Sequence, residues 1–145
     1  MPLLETEFLF GLRLGDRLYT KVSEILRLYE ERRATDLKIA TTGFLEVTNV
    51  LRARGFKPSQ IAAVVGEMRK KIKLHSLEEL SLNSEIIERC EELLGTGIAG
   101  LTYFDALHGS AAGSYDGTII SNDKIYDALN IKRLNFDEFV KKLAS

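Results

Sequence analysis

Residues 102–123, Thr-Tyr-Phe-Asp-Ala-Leu-His-Gly-Ser-Ala-Ala-Gly-Ser-Tyr-Asp-Gly-Thr-Ile-Ile-Ser-Asn-Asp, hold a helix, a strand and a turn in close succession. Thr102 to Ala112 reads as a helix whose first residues fit the Thr-x-x-Asp capping pattern. Thr118 to Ser121 reads as a short buried strand, and Asn122-Asp123 as the turn after it. The same alternation runs outward in both directions. Upstream, Leu3–Leu4 starts a strand that ends at Glu5. Leu18, Val22, Ile25, Leu26 and Tyr29 mark an amphipathic helix opened near Asp16, and Asp36 to Thr41 alternates like a strand. A helix follows from Thr42-Gly43 to Gly55, another runs from Pro58 to about Lys71, and the residues around Ile72 and Leu74 read as extended. Asn83 or Ser84 opens a helix with Ile86, Ile87, Cys90, Leu93 and Leu94 on one face, closed by Gly95. Downstream come a short helix, an edge strand over Lys132 to Leu134 and a C-terminal helix from Phe136 or Asp137. Strands alternating with helices need crossover connections, hence an α/β fold with a mostly parallel sheet covered on both faces.

The 145 residues suit one domain over 1–145, without room for two cores. With 45 % apolar and 28 % charged residues, the chain is neither a disordered tail nor a fibre. No apolar run reaches the ~18 residues of a membrane span. Glu5 and Glu7 stand where an export signal is basic and then apolar, so export is not expected. A single cysteine, Cys90, excludes an internal disulfide and a multi-cysteine metal site, and the expected location is the reducing cytoplasm. A formal charge of −1 argues against a non-specific nucleic-acid coat, yet leaves room for an enzyme that touches a few phosphates.

In open parallel sheets, ligands bind beyond the carboxyl ends of the strands. Glu5 falls at the end of the first strand, Glu46 in the helix after the second, Asp105 in the first turn of the helix near Thr102, and Asp123 directly after Ser121. Each has a plain structural role open to it: Asp105 and Asp123 as helix caps, Glu46 beside a helix N-terminus, Glu5 as a solvated strand end. If the four converge, each pair at ~4 Å repels by roughly 4 kcal/mol at an effective dielectric of 20. Such a cluster needs protonation or a divalent cation. Oxygen ligands without a cysteine set favour Mg²⁺ or Mn²⁺ over Zn²⁺ and suit metal-assisted phosphodiester hydrolysis.

Four segments resemble the PIN-domain ribonucleases. Leu4-Glu5-Thr6-Glu7-Phe8-Leu9 is similar to that family's opening strand, and Thr42-Gly43-Phe44-Leu45-Glu46-Val47, with Leu51 to Gly55 after it, to its second acidic helix. Thr102 to Ala112 resembles its Phe-Asp-Ala-Leu-His helix, the most specific match. Tyr115 to Tyr126 resembles its strand and Ser/Thr-x-Asp segment. Order and spacing agree over about residues 2 to 136. The resemblance implies a three-layer α/β/α sandwich and an Mg²⁺- or Mn²⁺-dependent endoribonuclease, often the toxin of a VapBC toxin–antitoxin pair. It also implies an RNA substrate, a homodimer and a small antitoxin covering the acidic groove. Its site set falls on Glu5, Glu46, Asp105 and Asp123, as catalytic residues and metal ligands, with Asp116 a weaker fifth. Glu5 stands where the family carries Asp and Glu7 where it carries Ser or Asn, so a catalytically weakened module that binds protein or RNA is the alternative.

Thr6, Ser121 and Asn122 are candidates to orient the carboxylates, with ordinary hydrogen bonds to the backbone the commoner role for such residues beside a turn. His108, three residues after Asp105, is expected to pack as a hydrogen-bonded histidine. Cys90 is expected to pack as a small hydrophobe. Arg69, Lys70, Lys71 and Lys73 form the densest basic cluster and Arg52 with Arg54 a smaller one; either suits phosphate contacts or a solvated helix face. No Gly-x-Gly-x-x-Gly follows the first strand, which disfavours a dinucleotide-binding enzyme.

Overall fold

Five short strands, too short to stand alone, pair side by side in the computed structural model, which describes residues 2–32 and 37–145. They are β1 (Leu3–Leu4), β2 (Lys38–Ala40), β3 (Glu78–Leu80), β4 (Thr118–Ile120) and β5 (Lys132–Leu134), in the order β3-β2-β1-β4-β5 with every pair parallel. Among the described residues seven helices flank them: α1 (Thr6–Gly11), α2 (Tyr19–Arg32), α3 (Thr41–Ala53), α4 (Pro58–Leu74), α5 (Ser84–Gly95), α6 (Tyr103–Tyr115) and α7 (Phe136–Ala144). A 3₁₀ turn covers Lys124–Ala128. No helix among the described residues is long and apolar enough to cross a membrane.

Alternate strand residues point to opposite faces, which splits the core in two. Leu4, Ile39, Ile120 and Leu134 face a layer built from α1, α2, α3, α4 and α7, with Phe8, Ile25, Met68 and Phe139 in its core. Leu3, Ala40 and Ile119 face the other layer, where Cys90, Leu107, Ala111 and Tyr126 fill the space beneath α5, α6 and the 3₁₀ turn. The result is the three-layer α/β/α sandwich expected from the sequence.

Several element ends have identifiable causes. Asn83 caps α5 by accepting from the Ile86 N–H at 3.1 Å, and Thr102 with Asp105 forms a reciprocal capping box on α6. Gly55, with φ +89°, turns the chain after α3. Two readings need correction. Ile72 and Leu74 are helical, because Ile61, Val64, Met68 and Ile72 continue one buried helical stripe and carry α4 past Lys71. The third strand accordingly lies further on, at Glu78–Leu80. Helix α1, directly after β1, is an element that the apolar pattern did not suggest. Strand β2 begins at Lys38; Asp36 lies outside the described residues.

The strand order positions the site. The chain builds outward from β1 to β2 and β3, then crosses to β4 and β5 on the other side of β1. Connections leaving the carboxyl ends of β1 and β4 therefore diverge, leaving a crevice between them. Helix α3 closes onto that crevice because position 43 is glycine. A Cβ there would meet Leu9 Cδ1 at 3.1 Å and the Thr6 backbone nitrogen at 3.4 Å. Gly43→Val should destabilise the fold by about 1–3 kcal/mol through overpacking against α1. Gly66 in α4 has no such neighbour within 4 Å, so Gly66→Ala should stabilise by about 0.5–1 kcal/mol. Urea denaturation of both variants reads the contrast; similar shifts for the two would contradict this account of the α1–α3 contact.

Candidate active site

The carboxyl ends of β1 and β4 open into a cleft of about 620 Å³. Glu5, Glu46, Asp105 and Asp123 all line it, so the four carboxylates singled out in the sequence do share one space. Each arrives on a different element. Glu5 is the N-cap of α1, with its side chain accepting from the Glu7 N–H at 3.2 Å. Glu46 lies in the second turn of α3, and Asp105 in the first turn of α6. Asp123 caps the 3₁₀ turn, where Oδ1 accepts from the Ile125 N–H at 3.0 Å. The capping roles of Asp105 and Asp123 thus coexist with a place in the cleft, since a cap uses one carboxylate oxygen.

Beneath the cleft a polar chain ties three helices together. Thr6 Oγ1 donates to Glu46 Oε1 at 2.6 Å, and His108 Nε2 stands 2.7 Å from the same oxygen. An ionised carboxylate only accepts, so Nε2 carries the hydrogen. Thr42 Oγ1 holds the other ring nitrogen, Nδ1, at 2.8 Å, and Phe104 stacks on the ring at a centroid distance of 6.1 Å. His108 is buried, as expected for a packed, hydrogen-bonded histidine. Its two nitrogens are occupied, which makes it an orienting partner for Glu46.

A second chain runs along the other wall. Ser121 Oγ donates to Glu7 Oε1 at 2.8 Å and accepts from the Asp123 N–H at 3.0 Å. Glu7 Oε2 lies 3.5 Å from Arg17. Of the three candidates for orienting the carboxylates, Thr6 does so directly through Glu46. Ser121 serves Glu7 and the Asp123 backbone instead. Asn122 lines the cleft but spends its Oδ1 on the Phe136 N–H. Asp116 accepts from the Thr118 N–H at the amino end of β4 and does not line the cleft. Sequence reading missed Phe10, Asp16 and Arg17 as cleft residues, because α1 and the loop after it left no periodic signal.

Electrostatics follow from this crowding. Burial, then the charges of Glu7 and Glu46, raise the Glu5 pKa well above its ordinary value. Burial also pushes Glu46 up, but hydrogen bonds from His108 and Thr6 outweigh it and leave its pKa lowered. Tyr126, packed below, is held strongly protonated by burial and then by the charges of Glu5, Asp105, Glu46 and Asp123, so all four fields reach one point. Donor atoms of Glu5, Glu46 and His108 lie within 4.8 Å of one another. The oxygen donors of Glu5 and Glu46, with Asp105 and Asp123 on the same cleft, fit a hard divalent cation. A cation there would offset the charges of Glu7 and Glu46 that add to burial in raising the Glu5 pKa.

No family model matches the chain, and no curated protein matches it in sequence. Solved structures do match. PAE2754 from Pyrobaculum aerophilum shares the fold with a TM-score of 0.59 at 20 % identity, over 98 % of this chain and 93 % of that one. FitAcB from Neisseria gonorrhoeae does so with a TM-score of 0.61 at 15 % identity, over 94 % and 98 %. These likenesses show the fold, and it is the PIN-domain fold that the four sequence segments resemble.

The raised Glu5 pKa has a stability consequence. Between the ordinary value of 4.5 and its raised value, folded Glu5 keeps a proton that the unfolded chain has released. Stability therefore falls as pH rises through that window, and levels off once both states are ionised. Glu5→Gln keeps the cap acceptor without this cost. Its unfolding free energy should exceed that of the natural chain near neutral pH, with the difference shrinking as pH is lowered through that window toward 4.5. Urea titrations over a pH series measure it, and a difference that does not vary with pH would contradict the burial account.

Proposed function

We propose that the chain is an endoribonuclease that hydrolyses RNA phosphodiester bonds with Mg²⁺ or Mn²⁺, acting as one domain over residues 1–145. The observation that carries this reading is the meeting of Glu5, Glu46, Asp105 and Asp123 in one cleft beyond the carboxyl ends of β1 and β4. Four carboxylates from distant parts of the chain would repel without a cation; at Glu5, burial first and then the charges of Glu7 and Glu46 raise the pKa. Glu5, Glu46, Asp105 and Asp123 would hold the cation, directly or through water. Bound there, it would make water nucleophilic near neutral pH and offset charge on the leaving oxygen.

The chain's own residues do the positioning. Thr6 and His108 converge on Glu46 Oε1, fix the direction of that carboxylate and leave Oε2 for a ligand. Thr42 fixes the His108 ring. Ser121 holds the backbone at Asp123, so this carboxylate faces the cleft at the end of β4. We further propose the toxin of a toxin–antitoxin pair, working in the cytoplasm as a homodimer, with a small antitoxin that covers the acidic cleft; the fold shared with FitAcB supports the toxin–antitoxin part alone.

One observation favours a second reading, a PIN-like module that binds protein or RNA without cutting. Glu5, longer by one methylene than the Asp of the resembled motif, directs a carboxylate oxygen to the Glu7 N–H.

Cleavage of labelled single-stranded RNA decides between them. Metal-dependent cleavage that vanishes in Asp105→Asn is expected. Thr6→Val, which removes the hydroxyl from Glu46, should lower the rate by about 10–100-fold. Absence of cleavage from a folded protein over several RNAs would transfer the assignment to the binding module. Independently of activity, Mn²⁺ at about 100 times its Kd should stabilise the natural chain by about 2.7 kcal/mol. Asp105→Asn should show a smaller shift in the same thermal-melting series; equal shifts would place the cation elsewhere.

A further inference from the structure

The cleft extends well beyond its carboxylates, and its chemistry changes along its length. Glu46, Val50 and Arg54 all line it from α3 and its C-cap, at spacing i, i+4, i+8, so they form one stripe along the helix. By the helical rise this stripe covers about 12 Å from carboxylate to guanidinium. On the facing helix, Glu7 and Phe10 repeat the order at i, i+3: a carboxylate near the sheet edge, then an aromatic ring. Arg54 Cζ lies 5.7 Å from the centroid of the Phe10 ring.

Arg54 differs from the other cleft cation in its partners. Arg17 lies beside Glu7 at 3.5 Å, whereas Arg54 has no carboxylate partner among the described residues. An exposed, uncompensated guanidinium over a half-buried aromatic ring, at the far end of an acidic cleft, matches a ligand with two alternating properties. It carries a negative charge at regular intervals and a flat apolar ring between them. An unpaired nucleotide strand has both, and its base faces are free only when it is single-stranded.

We infer that Phe10 and Arg54 form a subsite for one nucleotide of a single-stranded RNA, separate from the carboxylate centre: the base stacks on Phe10 and Val50, and Arg54 holds the adjacent phosphate. This assignment rests on the nuclease reading for its choice of RNA. Its recognition is sequence-tolerant, because every base offers a stacking face and a phosphate contact carries no sequence information.

The test is fluorescence anisotropy of a labelled single-stranded RNA with Ca²⁺ as the cation, beside cleavage kinetics with Mn²⁺. Arg54→Ala should weaken RNA binding about tenfold and flatten the dependence of log K on log salt by about 0.7, the loss of one phosphate contact. Arg54→Lys should keep the salt slope and lose part of the affinity. Phe10→Leu, which retains apolar volume, should weaken binding about fivefold or more with the salt slope unchanged. In cleavage, these losses should fall on KM rather than kcat. Circular dichroism confirms that each variant is folded. Affinity and salt slope equal to the natural chain in both Arg54→Ala and Phe10→Leu would overturn the subsite, even with Asp105-dependent cleavage intact. RNA binding that is lost in these variants, in a natural chain that cuts nothing, would sustain the subsite and sink the hydrolysis. A natural chain that binds no RNA overturns it outright.

Discussion

His108 Nε2 and Thr6 Oγ1 meet at one oxygen of Glu46, and this junction organises the cleft end of the molecule. Thr6 starts the helix after β1, Glu46 belongs to α3, and His108 comes from α6 in the opposite layer. The bonds therefore connect both layers across the end of the sheet, where backbone pairing has already stopped. A buried histidine without partners would cost free energy; here both nitrogens are satisfied, and a carboxylate is aimed as a result. Gly43 makes the junction reachable, since a larger residue would hold α3 away from Thr6.

Packing and electrostatics pull in different directions at this end of the sheet. Two hydrophobic layers bring β1 and β4 together and so carry Glu5 and Asp123 into one cleft. Burial of the Glu5 carboxyl opposes that arrangement, and the charges of Glu7 and Glu46 add to it, as the raised Glu5 pKa records. Proteins tolerate such local destabilisation mainly where a ligand later relieves it. The cleft also has structure beyond its charges. Its acidic end, apolar middle and guanidinium follow from helical spacing on α3, where every fourth residue shares a face.

Much of this was legible because it is local. Thr102 and Asp105 form the capping box their spacing suggested, Asn83 caps α5, and β5 spans Lys132–Leu134 as read. The four carboxylates could be placed because strand ends and first helical turns are local features, and parallel topology sends them to one edge. Helix α1 escaped notice, since six residues give little more than one helical turn and no measurable period. With it went Phe10 and the loop that brings Arg17 to the cleft. The end of α4 was misplaced for the opposite reason: an apolar run around Ile72 suits a strand or a buried helix, and only packing against the core decides.

The sequence by itself determined the alternation of helices and strands, the parallel sheet and the identity of the acidic residues, because periodicity and capping act over a few residues. Tertiary structure alone decided which polar groups touch. That Ser121 serves Glu7, that Asn122 turns to the Phe136 backbone, and that Thr42 reaches His108 across 66 positions depend on side-chain directions set by packing. Such contacts link residues far apart in the chain, where local pattern carries no distance information, so they exist only once both layers have closed on the sheet.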